Sequence, residues 1–213
     1  MILLTATAIL VFFGAAQRVL DKMYLSDRAA LLLIAAMFFG TLIPNIKIGF
    51  ISISIGGAII PVSICAYILS KADTGREQAL ALLGSAITGL LIYGLSAIMP
   101  AEPEAIQIDP MHLYGVIAGL TAYILNRSRR GAFVCGVLGV FWADAAVGII
   151  NRFKGIEQQL ILGGGGVFDA MIISGILGVL LSELLGELVE RLSRGTNPPK
   201  RSAVSSPINR KDK

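Results

Sequence analysis

The sequence predicts an all-α fold, a polytopic membrane helix bundle of about seven transmembrane helices with the N-terminus outside and the C-terminus cytoplasmic. Three observations predict it. Hydrophobic residues make up 55% of the 213-residue chain and charged residues only 15%, with a mean hydropathy of +0.77, whereas a soluble domain carries about 25% charged residues. So few polar residues cannot cover a soluble surface, but a bilayer meets apolar side chains directly. Apolar runs recur along the chain, and the basic residues between them alternate in density.

The runs cover residues 2–17, 29–43, 56–70, 79–99, 111–125, 132–150 and 167–185. A span takes about 20 residues, with about 17 as the lower limit. Several runs are shorter and need flanking apolar residues and snorkelling arginines to reach across. The first run lacks the basic start of a cleaved secretory signal, and Arg18, Lys22 and Arg28 follow it instead. It is expected to be an uncleaved first span.

With alternating spans and an outer N-terminus, the inner segments 18–28, 71–78, 126–131 and the tail hold 15 of the 18 Lys and Arg. Positive charge concentrates on the cytoplasmic side of membrane proteins, so this count supports the orientation. The loop 100–109 holds Glu102, Glu104 and Asp109 without a basic residue, as an outer loop would.

The net charge of +4 does not indicate a nucleic-acid partner, because seven basic residues lie between Arg191 and Lys213 and most others sit at helix ends. The chain divides into a transmembrane helical domain, 1–192, and a basic cytoplasmic tail, 193–213. The tail is rich in Pro, Ser, Lys and Arg and is expected to be disordered, since such a composition cannot bury a core. Cys65 and Cys135 fall within apolar runs, without zinc-ligand spacing, and read as packing residues.

Two connections interrupt the helical pattern. Residues 45–55 read NIKIGFISISI, alternating and β-branched, and lead into Gly56 and Gly57. Residues 151–162 end in QQLIL and lead into Gly163, Gly164, Gly165 and Gly166. Laid on their glycines, GGAIIP (56–61) matches GGGVFD (164–169). The match suggests a duplicated three-helix unit in a 3+1+3 arrangement.

Charge inside a membrane marks function by default, because a carboxylate at a helix centre costs about 2.5–3.5 kcal/mol to insert. Asp144 lies in the sixth run, in GVFWADAAVG, and Asp169 at the head of the seventh, in GGGGVFDAM. Each is six residues from the outer boundary, about 9 Å deep at about 1.5 Å per residue. Two carboxylates at equal depth on consecutive helices can share one proton. One can then activate water while the other protonates a carbonyl oxygen. The same shared proton serves a proton-coupled carrier, and a plain interhelical hydrogen bond is the structural alternative. Gly163 to Gly166, free of Cβ, can unwind next to a helix N-terminus and offer N–H groups to a carbonyl or anion. With Phe168 and Trp142 they form the expected substrate-binding set.

These aspartates resemble those of the GxGD intramembrane aspartyl proteases, with Gly166 three residues before Asp169. The sequence departs from that pattern in Phe168 before the second aspartate and in Ala143 before the first. RVLDKMYLSDRAALL (18–32), SIGGAIIP (54–61), the WAD around Asp144 and GGGGVFDAMIISGILGVLL (163–181) resemble the bacterial and archaeal membrane family catalogued as domain of unknown function 1614. That likeness implies a common fold and a plasma-membrane location, and brings no activity with it.

His112, the single histidine, reads as an interfacial polar residue, and no metal or other cofactor is expected. Glu183, Glu187 and Glu190 mark an amphipathic helix end. Gly115 with Gly119, and Gly178, Ser182 and Gly186, are small-residue stripes for packing within the bundle or between copies. The chain has no Walker loop, dinucleotide fingerprint, HExxH or GxSxG, which argues against ATP-driven, metalloprotease and serine-hydrolase chemistry. The functional expectation is aspartyl-protease-like hydrolysis of a membrane-embedded peptide through Asp144 and Asp169. A proton- or cation-coupled carrier of a small solute through the same aspartates, and a non-catalytic scaffold or sensor, are the alternatives.

Overall fold

The computed structural model describes residues 27–98, 110–125 and 128–194. They form helices α1 (Asp27–Thr41), α2 (Ile60–Ser70), α3 (Gly75–Ile98), α4 (Pro110–Leu125), α5 (Arg129–Phe153) and α6 (Ala170–Arg194). The expected first span, 2–17, and the tail beyond residue 194 lie outside the described residues.

Helix starts follow local chemistry. The Ser54 hydroxyl accepts from Gly57 N at 3.2 Å and opens a π turn over Ile55–Ile59, and Pro61 then sits in the first turn of α2, where its missing N–H is harmless. Ser128 accepts from Gly131 N at 3.3 Å at the start of α5.

Three helices are long and apolar enough to cross a membrane: Gly75–Ile98, Arg129–Phe153 and Ala170–Leu192, of 24, 25 and 23 residues. At about 1.5 Å per residue each exceeds the roughly 30 Å hydrocarbon core. The expected seven spans are thus corrected to three that meet this standard among the described residues. The apolar stretches Leu32–Thr41, Ile55–Ser70 and Leu113–Leu125 are shorter. Leu32–Thr41 ends in a turn before β1, and Ile55–Ser70 runs from β2 to a turn.

Small residues let the long helices touch. A Cβ on Gly139 would lie 2.5 Å from Thr88, and one on Gly136 would lie 2.6 Å from the backbone of Gly175, so α5 packs tightly on both α3 and α6. Gly115 and Gly119 face Leu177 and Leu181 on α6, so that pair packs within the bundle. Of the other stripe, Gly178 and Ser182 are buried, while Gly186 meets open space. The core is lined by Ile92, Val134, Val137, Val140, Met171 and Val179, with Cys65 and Cys135 buried as free thiols.

The all-α expectation also needs correction. The two glycine-led connections form a three-stranded sheet of β1 (Ile46–Ile48), β2 (Ile51–Ile53) and β3 (Leu160–Leu162). β1 and β2 make an antiparallel hairpin that turns at Gly49, whose φ is +61°. β2 and β3 pair in parallel, with Ile51 opposite Leu160 and Ile53 opposite Leu162. Ser54 N extends the ladder to Leu162 O at 3.0 Å. The backbone needs of these irregular segments are met by each other, as membrane-proximal loops require.

Candidate functional site

The two aspartates occupy different surroundings. Asp169 ends the 3-10 turn Gly166–Phe168 in an extended conformation and caps α6. Its Oδ1 accepts from Met171 N and its Oδ2 from Gly165 N, both at 3.0 Å. One oxygen therefore satisfies an orphan amide at the helix start and the other ties down the glycine run.

That run is a packed turn. Gly163 and Gly166 have φ of +71° and +61°, the left-handed region that glycine alone enters freely. A Cβ on Gly57 would lie 2.1 Å from Gly163 O, and one on Gly166 would lie 2.3 Å from Thr41. Gly163 is thus pressed against the π turn and Gly166 against the end of α1. Gly165 spends its N–H on Asp169.

Asp144 is half-buried on α5, and among the described residues no hydrogen-bond donor reaches its carboxylate. It lines a cavity of about 470 Å³ between α3, α4, α5 and the segment leading into β3. Ser96, Tyr114, Asn151, Gln158 and Gln159 contribute polar groups, and Ile92, Val147 and Leu160 supply apolar wall. Gly148 allows this closeness: a Cβ there would lie 2.7 Å from the Leu160 side chain. Asn151 Nδ2 donates to Gln158 Oε1 at 3.2 Å, joining the end of α5 to the segment before β3. The Ser96 hydroxyl donates to Tyr93 O at 2.8 Å.

The Asp169 carboxylate lies within Coulombic range of Asp144, so the fold brings the two charges near one another. Asp169 is not on the cavity wall, and neither are Trp142, Phe168 or Gly163 to Gly166. Trp142 backs onto Gly89, stacks edge-on with Phe141 at 5.3 Å, and is about half exposed. Phe168 is 44% exposed. The sequence reading missed the amide and hydroxyl lining. Its one visible signal was the adjacent Gln158 and Gln159 between two apolar segments.

Fold and site together define a mostly helical protein with, among the described residues, three helices long and apolar enough to cross a membrane and a carboxylate-bearing cavity beside two of them. The chain belongs to the family described as protein of unknown function (DUF1614), which matches residues 16–181. No curated protein and no solved structure matches it.

Proposed function

We propose that this protein is a multi-pass membrane carrier in which Asp144 binds a proton or cation that moves with a small solute. One observation carries the reading: among the described residues, Asp144 is the only charged side chain on the cavity wall, and no protein donor engages it. An ionisable group at membrane depth facing a polar cavity is the usual mark of an ion or proton path. A purely structural carboxylate would have its hydrogen bonds met by the protein, as those of Asp169 are.

The topology proposed from the basic residues agrees with this placement. Ser96 near the end of α3, Tyr114 near the start of α4 and Asn151 near the end of α5 share one cavity, which the positive-inside count assigns to the outer side. The parallel pairing of β2 with β3, each leading through glycines into a helix, supports the duplicated 3+1+3 unit. Location in a bacterial or archaeal plasma membrane is part of the same proposal.

Hydrolysis draws support from the closeness of the two carboxylates. It requires both to face one water, whereas Asp169 is absent from the wall of the cavity that Asp144 lines. The carrier is therefore the better-supported reading.

The test is proton flux in proteoliposomes with a trapped pH dye, driven by an imposed potassium diffusion potential. Wild-type protein is expected to carry protons faster than empty vesicles, and Asp144→Asn to match empty vesicles. Equal flux from wild type and Asp144→Asn overturns the reading, as does wild-type flux no greater than that of empty vesicles. Loss of a membrane peptide's cleavage in both Asp144→Asn and Asp169→Asn would instead establish the hydrolase.

A further inference from the structure

We infer that the Asp144 cavity takes a small organic ammonium ion, with its N–H groups on the carboxylate and its carbon body against Ile92, Val147 and Leu160. This rests on the reading of Asp144 as a ligand-binding carboxyl. Charge decides the sign of the ligand. Among the described residues the wall has one formal charge, that of Asp144, and it is negative. The nearest cations in sequence are turned elsewhere or absent from the wall: the Arg152 guanidinium lies over the Phe50 ring at 6.0 Å, and Lys154 does not line the cavity. The cavity also lies along the last turns of α5, the helix end whose carbonyls favour positive charge.

Polar inventory and shape decide the rest. Ser96 gives its proton to Tyr93 O and so turns lone pairs outward. Asn151 gives an N–H to Gln158 Oε1 and keeps its own carbonyl oxygen for a donor. A ligand bearing N–H donors matches these acceptors and Asp144, and the N–H groups of Gln158 and Gln159 suit a neutral acceptor on the same ligand or a bridging water. A bare metal ion fits poorly. It would need a close cage of several ligands, and no group of three His, Cys, Asp or Glu among the described residues could hold one. A volume of about 470 Å³ suits a small molecule, and the apolar wall opposite the amides gives its carbon portion a place.

The experiment is isothermal titration calorimetry on the full chain in nanodiscs, with phenethylammonium chloride and sodium 3-phenylpropanoate as size-matched probes. Binding of the ammonium without the carboxylate is expected, weakened about ten- to hundred-fold by Asp144→Asn, the scale of one charge-assisted hydrogen bond. Val147→Phe, which fills the cavity and leaves the charge, is expected to weaken binding as well, and Asp144→Glu to retain it. Thermal melting of each variant separates lost binding from lost folding. Binding of the carboxylate, or ammonium binding unchanged in folded Asp144→Asn or Val147→Phe, overturns the inference. Failure here with proton flux intact removes the ligand class and leaves the carrier. Ammonium binding without flux does the reverse.

Discussion

Asp144 and Asp169 feel each other's charge and yet have opposite surroundings. The Asp169 side is closed. Both carboxylate oxygens accept backbone amides, and the neighbouring glycines press against Gly57 and Thr41 with no room for a methyl group. The Asp144 side is open, with a carboxylate that no donor among the described residues satisfies and a cavity in front of it. A membrane protein tolerates an unmet charge where something else is to meet it. The difference teaches that two neighbouring aspartates can differ in the partners of every oxygen.

The comparison can be broken most severely on the closed side. Gly57→Ala is expected to destabilise by about 3 kcal/mol or more, because its Cβ would sit 2.1 Å from Gly163 O, in backbone that cannot yield as a side chain can. Size-exclusion profiles and thermal melting check this, and a normal melt would show that the clasp is loose. Asp169→Ala removes a helix cap and the tether on Gly165, with an expected loss of about 1–2 kcal/mol. Asp169→Asn, which keeps one acceptor oxygen, should lose less.

Asp144→Asn sharpens the contrast from the other side. It removes a charge that no group among the described residues satisfies, so stability should hold or rise slightly while flux disappears. A fall in melting temperature as large as that of Asp169→Ala would place Asp144 among the structural residues. The smallest effect belongs to Asn151→Ala. It removes one exposed hydrogen bond to Gln158 and should change stability by no more than about 0.5 kcal/mol, although ligand binding should still register the lost amide.

Much of this was readable from the residues. The longest apolar runs became the three long helices. The facing of each carboxylate was not readable, because depth follows from counting residues whereas facing depends on helix rotation. The runs near fifteen residues were read as spans on composition alone. Length separates them from the others among the described residues. The sheet was half visible. NIKIGFISISI alternates as a strand should, but its partner is a three-residue segment more than a hundred positions away, and no local pattern announces that pairing. The glycine run was taken for a ligand cradle. The atoms packed against Gly163 and Gly166, from Gly57, Ala58 and Thr41, belong to a distant part of the sequence, while Gly164 and Gly165 stay exposed.

The same long-range pairing sets an order of assembly. When β2 leaves the ribosome its parallel partner does not yet exist. At about 5–20 residues per second the wait for Leu160–Leu162 lasts roughly 5–20 s. During that interval α3, α4 and α5 are made, and the free edge of β2 and the bare face of Gly57 stay unmatched. Closing the Gly57–Gly163 clasp is therefore a late event in biogenesis. A chain stopped before residue 160 would keep two of its three long helices and lack the piece that fastens its first half to its last.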